Sequence, residues 1–240
     1  MERTSLAPPL TDSTQDYLKG IYELTRVGEA ASTGAIAARL GHSSASVTGM
    51  LQKLAAQKPP LITYRKHHGA RLTESGERAA LEVIRHHRLL ETWLVQVLGY
   101  SWDDVHGEAE KLEHVMSEDL ERRISRALGN PARDPHGEPI PSATLVMPAE
   151  HSVPLADLRV GQEAVVRRVQ PGDAAALRHL YGLGIFIGSQ FKVMSVSDYD
   201  NVMTLQIPGQ DRSITLGPAL LDLVFVERRI SHKKGSKEPS

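Results

Sequence analysis

Apolar residues recur at helical spacing through roughly the first half of the chain, and beyond a proline-rich stretch they alternate at strand spacing. Tyr17, Leu18, Ile21, Tyr22 and Leu24 line one side of a first helix, with Ser13 as its N-cap and an end near Gly28. In "STGAIAARLG", Ser32 or Thr33 caps a short helix, Ile36, Ala37 and Leu40 face inward, and Gly41 stops it. A turn leads to "SSASVTGMLQKLAAQ", whose Val47, Met50, Leu51 and Leu54 share a face. "LITYRKHHGARLT" then places β-prone residues on both sides of a polar turn, as in a hairpin. Helix, helix, turn, helix, hairpin is the order of a winged helix-turn-helix.

Two long helices are predicted next, over 75–98 (capped at Ser75, closed by Gly99) and over 102–128, ending at "GNP". Their apolar stripes exceed what a small winged domain can cover, which predicts a dimer interface. Six prolines between 131 and 154 read as a linker. After it, "EAVVRRV", "QFKVMSV", "VMTLQI", "SITL" and "LVFV" predict five short strands and hence a small barrel. The fold class is mainly α with a β C-terminal domain. It comprises a winged helix-turn-helix over 1–73, a helical region over 74–142, a Pro-rich linker over 143–153, a barrel over 154–228 and a disordered tail over 229–240.

At 240 residues the chain can hold two or three small domains. No apolar run approaches the ~20 residues that span a bilayer. The first residues lack the pattern of a secretory leader, so a cytoplasmic protein is expected. With no cysteine, any metal must be held by carboxylate, imidazole, carbonyl or water.

The net charge of −1 hides a strong asymmetry. From Ala30 to Thr73 there is no acid, whereas Arg39, Lys53, Lys58, Arg65, Lys66 and Arg71 are present. Between Asp103 and Glu121 the sign reverses, with Lys111 alone among acids. Such blocks suggest an anionic partner for the first and a cation for the second.

The basic block coincides with the winged motif and reads as a binder of double-stranded DNA. The start of its second motif helix carries Ser43, Ser44, Ala45, Ser46, Thr48 and Gly49, small residues that permit close approach to a major groove but supply no Arg–guanine fork. Arg39, Arg65, Lys66 and His67 would hold the backbone or, from the wing, enter the minor groove. The alternative is a winged domain used for protein contacts.

On a continuous helix, His106, Glu110, Glu113 and His114 would share an arc of about 100°. Repulsion among their carboxylates favours a cation there, although a solvated acidic face is the simpler alternative. His87 and Glu91 stand one turn apart in "HHRLLE", which is bidentate metal spacing and equally a common surface pair. Asp16 is either an ordinary first-turn helix acid or a ligand.

Taken together, "DYLKGIYEL", "ARLGHSSASVTGML", "HHRLLETWL", "VHGEAEKLEHVMSEDLERRI" and "DPHGEPIP" resemble the iron- and manganese-dependent repressors of the diphtheria toxin repressor family. The match runs closely over about 12–142. A looser likeness over 153–227 is to the family's SH3-like third domain, akin to a domain associated with ferrous iron transport. The resemblance implies a homodimeric repressor on a palindromic operator, with Mn²⁺ (alternatively Fe²⁺) at up to two sites per subunit. It implies a regulatory site of Asp16, Glu110, Glu113 and His114. It implies an ancillary site of His87, Glu91 and His106, with Asp173 as an optional ligand. Asp16 and Glu110 match the manganese-type members, where iron-type members have Met and Cys.

Two positions depart from the pattern. Lys19 stands where some manganese-type members carry a bridging glutamate, which argues against their closely coupled binuclear site. Asp134 and Glu138 replace the Ser and Asn of the family's anion site, which argues against bound anion. A metal-dependent hydrolase and a winged-helix regulator of an organic ligand are the rival readings, the first weakened by the lack of an HExxH pair.

Overall fold

The computed structural model describes residues 10–26, 28–170, 173–209 and 213–229. The expected tail, 229–240, lies outside them but for its first residue. The chain forms two compact units, one of residues 1–90, 109–132 and 140–148, the other of 91–108, 133–139 and 149–240.

In the first unit, α1 (Asp12–Thr25), α2 (Thr33–Leu40) and α3 (Ser44–Ala55) precede an antiparallel hairpin of β1 (Ile62–Arg65) and β2 (Gly69–Leu72). Each helix begins where a hydroxyl can replace a missing helical acceptor. Ser32 accepts from the Ala35 N–H at 3.1 Å and Ser43 from the Ser46 N–H at 3.2 Å. The cap of α1 is Thr11 rather than Ser13, because Ser13 already lies inside the first turn. Leu18, Ile21, Ile36, Val47, Leu51 and Leu54 are fully buried and form the core of this winged helix-turn-helix. Packing is tight at Gly76, where any Cβ would collide with the Leu61 carbonyl oxygen.

The long helix α4 spans Glu74–Leu98. Thr73, not Ser75, caps it, its hydroxyl accepting from the Gly76 N–H at 3.2 Å. The helix expected over 102–128 is two helices, α5 (Val105–Leu112) and α6 (Glu118–Ala127). The Glu113 N–H still reaches Ala109 O, but Val115 closes a tighter turn onto Leu112 O. Ser117 then caps α6, and Glu118, Asp119 and Glu121 occupy its first turn, where the helix dipole favours acids. Helical periodicity continued through this break because the break itself is only a turn long.

The second unit holds the end of α4, the start of α5, the 133–139 turn and a six-stranded antiparallel sheet. Its strands are β3 (Val153–Pro154), β4 (Glu163–Val169), β5 (Gln190–Ser197), β6 (Val202–Gln206), β7 (Ser213–Leu216) and β8 (Val224–Arg229), in the order β3-β8-β4-β5-β6-β7. All five expected strands are present. The two-residue β3, α7 (Ala174–Gly182) and α8 (Pro218–Leu221) are additional. Inward residues such as Ala164, Val166, Phe191, Val193, Leu205 and Val226 form its core.

The proline-rich segment packs rather than dangling. In the second unit the Val169 N–H donates to His136 O at 2.9 Å, and Arg168 donates to Glu138 at 2.7 Å. Gly137 (φ 82°) sits so close that a Cβ would strike the Arg167 carbonyl oxygen. In the first unit the Ile140 N–H donates to Ala132 O, and Pro141 O accepts from Arg85 at 2.6 Å. Fixed φ makes such a segment cheap to order. Among the described residues no helix is long and apolar enough to cross a membrane.

Arg85 also donates from Nε to the buried Glu121 at 2.7 Å, with His86 Nε2 3.2 Å from the other carboxylate oxygen. Burial would raise the Glu121 pKa, but His86 and Arg85 together hold it at about 2, against an ordinary 4.5. Because the folded value is the lower, this stabilisation is present above about pH 4.5 and is lost as pH falls towards 2. Glu121→Gln should lower stability at pH 7 by about 3–5 kcal/mol, since it strands a buried guanidinium. It should also flatten the acid limb of a stability profile measured by denaturant melts from pH 7 to pH 3. Parallel profiles for the two proteins would refute the pairing.

Candidate metal centres and nucleic-acid interface

In the first unit, α1 and the turn after α5 bring Asp16, Glu113 and His114 together, with one donor atom from each within 4.8 Å of the others. His114 Nε2 is 3.1 Å from Asp16 Oδ1 and 3.7 Å from Glu113 Oε1. Gln15, which the sequence reading did not single out, fixes that ring. Its Nε2 donates to Leu10 O at 3.1 Å, so its Oε1 faces His114 Nδ1 at 2.8 Å and accepts the ring proton. The Nε2 lone pair therefore points at two carboxylates, an arrangement that calls for a cation between them. Burial, opposed by His114 and reinforced by Glu113, holds the Asp16 carboxyl above its ordinary range.

Glu113 is the anchor of this cluster, with a side chain 1 % exposed. Lys19 Nζ donates to both of its oxygens at 2.9 Å, and His87 Nδ1 is hydrogen-bonded to Oε2. Burial works against the anion, but His87 and Lys19 outweigh it and hold the Glu113 pKa low.

Glu110, expected beside Glu113, is not in the cluster. Its charge acts on Arg39, where it offsets the effect of burial on the guanidinium. α5 ends at Leu112, and the tighter turn that follows Glu113 carries His114 off the helical arc that Glu110 occupies.

In the second unit, Glu91, Asp134 and His136 are all buried and likewise cluster within 4.8 Å. His106 Nδ1 is 3.0 Å from Glu91 Oε1, as its expected pairing requires, and His87 precedes Glu91 by one turn of α4. Asp134 and His136 were not expected as ligands; the "DPHGEP" turn brings them in. His136 Nε2 donates to Trp102 O at 2.6 Å, which leaves Nδ1 facing Glu91 Oε2 at 3.6 Å with no hydrogen bond. Burial disfavours a charged ring, yet the carboxylates of Glu91 and Asp134 raise the His136 pKa. A buried ring nitrogen facing two carboxylates again marks a place for positive charge. Asp173, expected as an optional ligand, caps α7, accepting from the Ala175 N–H at 2.8 Å, and joins no cluster among the described residues. Asp134 Oδ1 accepts from the His136 and Glu138 N–H groups at 2.8 and 2.9 Å, so a carboxylate of the chain takes donors that an anion would need.

In the winged domain, Ser43, Ser44, Ala45, Ser46 and Gly49 are exposed at the start of α3, with Thr48 half-buried. The Ser43 hydroxyl is committed to capping, and Thr48 donates to Ser44 O at 2.8 Å. Arg65, Lys66 and His67 are exposed on the hairpin, while Arg39 is paired with Glu23.

A winged helix-turn-helix whose first helix also carries part of a carboxylate–imidazole cluster defines a metal-dependent DNA-binding regulator. Residues 9–70 match the iron dependent repressor N-terminal DNA binding domain, 73–142 the metal binding and dimerisation domain of the same repressors, and 153–228 the FeoA domain. The iron-dependent repressor IdeR of Mycobacterium tuberculosis is 33 % identical over 231 residues, covering 91 % of this chain and 98 % of that one. The diphtheria toxin repressor of Corynebacterium diphtheriae is 31 % identical over 212 residues, 84 % of this chain and 92 % of its own. A manganese-dependent transcriptional repressor solved in complex with manganese superposes with a TM-score of 0.83 at 38 % identity, over 89 % of this chain and 98 % of that one. The chain belongs to the family of metal-dependent repressors that includes the diphtheria toxin repressor and IdeR. These relatives are transcriptional repressors, not enzymes, and the hydrolase reading falls with that.

Outer partners of metal-bound histidines typically contribute 10–100-fold to metal affinity. Gln15→Leu should accordingly weaken divalent-metal binding by about 10–100-fold in calorimetric titrations, with the secondary structure unchanged by circular dichroism. Wild-type affinity would show that Gln15 does not set the His114 tautomer.

Proposed function

We propose that this protein is a Mn²⁺-sensing, homodimeric, cytoplasmic repressor of metal-uptake genes, with Fe²⁺ as the alternative effector. The observation that carries the reading is the convergence of Asp16 on α1 with Glu113 and His114 on the turn after α5. Asp16, Glu113 and His114 hold the regulatory ion, and Glu110 is the fourth ligand that the family resemblance adds. Glu91, His106, Asp134 and His136 form the second centre, with His87 as the ligand that the resemblance adds there. Both donor sets consist of carboxylates and imidazoles, which suit Mn²⁺, and no thiolate exists to favour softer ions.

A bound cation supplies the positive charge that allows the Asp16 and Glu113 carboxylates and the His114 lone pair to stay close. Asp16 thereby ties α1, and with it the winged domain, to the turn after α5. The two recognition helices of a dimer can then address half-sites of a palindromic operator one helical turn, about 34–36 Å, apart. Moving such an equilibrium from 1:99 to 99:1 takes about 5.5 kcal/mol of differential affinity. Ser44, Ala45, Ser46, Thr48 and Gly49 approach the bases, and Arg65, Lys66 and His67 hold the backbone.

Gel shifts on the gene's own upstream DNA, with Mn²⁺, Fe²⁺ or chelator under anaerobic conditions, test the reading. Mn²⁺ should activate at least as well as Fe²⁺, and chelator should abolish the shift; binding indifferent to chelator would favour an organic effector. His114→Ala should remove the metal response while leaving a folded protein by circular dichroism, and Glu113→Ala should remove it together with a lower melting temperature, since it strands Lys19. Either variant repressing normally with Mn²⁺ would sink the regulatory assignment. Lys66→Ala should weaken binding to all DNA and lower the slope of log K against log salt by about one.

A further inference from the structure

Glu113 has two flanks, and they differ. On one, Oε1 faces His114 and, beyond it, Asp16. On the other, Lys19 Nζ lies 2.9 Å from each carboxylate oxygen and 3.3 Å from His87 Nδ1. Two carboxylate oxygens beside an imidazole nitrogen are the surroundings a divalent ion would also take once it displaces the proton on that nitrogen. Here an ammonium group occupies them, delivered by α1 one helical turn after Asp16.

We infer that Lys19 is a resident cation: it holds the buried Glu113 carboxylate before metal arrives, excludes a second ion between Glu113 and His87, and raises the metal concentration at which the regulatory site fills. This rests on the proposed regulatory ligands. Glu113 is almost wholly buried, and an anion there needs a permanent partner. The same ammonium sits on a carboxylate that the incoming ion must share, and like charges a few ångströms apart in a poorly screened site repel strongly. Lys19 is thus a positioning residue that trades affinity for a pre-formed site. It also ties α1 to the turn after α5 in the absence of metal, leaving Asp16 in place for the final contact.

The experiment uses the full chain and Mn²⁺, read by calorimetry, by metal content per subunit after desalting, and by Mn²⁺ electron paramagnetic resonance. Lys19→Met should lower the melting temperature of the metal-free protein and tighten Mn²⁺ binding by about tenfold or more, from the loss of charge repulsion. Lys19→Gln, which keeps hydrogen-bonding capacity, should show the same gain if Lys19→Met does not fold. Lys19→Arg should stay near wild type. Lys19→Glu should take up one additional Mn²⁺ per subunit and broaden the resonance through coupling of two neighbouring ions. A purely structural lysine would lower the melting temperature in Lys19→Met and Lys19→Gln without tightening Mn²⁺ binding, and that result overturns the inference while leaving the proposed function standing. Unchanged metal content in Lys19→Glu overturns the exclusion of a second ion. A wild type that binds no Mn²⁺ overturns both the proposed function and this inference.

Discussion

A carboxylate kept ionised inside protein is the constraint around which the first unit is arranged. Glu113 has almost no solvent to lean on, so donors come to it from other elements: Lys19 from α1 and His87 from α4. Each of those elements has its own reason to exist in the winged or helical core. The charge makes their mutual placement specific, because apolar packing alone tolerates many small shifts whereas a buried ion does not. The Arg85–Glu121–His86 network works in the same way, tying α4 to α6 and to the Pro141 carbonyl.

The second unit shows a similar solution with different parts. A short turn, "DPHGEP", carries Asp134 and His136 to Glu91, and its backbone is fixed by β4 through Val169 and by the buried Glu138–Arg168 pair. The donors that this turn presents are satisfied by its own carboxylate. A site built on so tightly fastened a loop is preorganised, with little conformational freedom left to lose when an ion is bound.

The order of elements in the winged domain was legible because each helix has a cap, an apolar stripe and a stop, and because an acid-free stretch coincides with it. The strands β4 to β8 were legible by alternation. What escaped had a physical cause in each case. Residues 113–117 interrupt a helix without a proline or glycine, so periodicity ran through the break and kept Glu110 on one arc with His114. Proline density suggested a tether over 131–154, but hydrogen bonds from distant residues, Arg85 and Val169 among them, are invisible to local composition. Asp173 lies at the start of a short helix that was not foreseen, and capping that helix is what its carboxylate does. Gln15 carries no chemistry on its face; only the direction of its amide, set by Leu10 O, shows why it is there.

Gly76 and Gly137 matter in another currency, that of genetics. At each, a single methyl group would run into a backbone carbonyl, Leu61 in one case and Arg167 in the other, and backbone cannot swing aside as a side chain can. A mutational map of lost repression would therefore place both glycines beside the proposed metal ligands in severity. Neither position offers a donor atom beyond its peptide groups. Sorting such a map demands a second axis, protein abundance in the cell, on which steric casualties fall and ligand substitutions stay high.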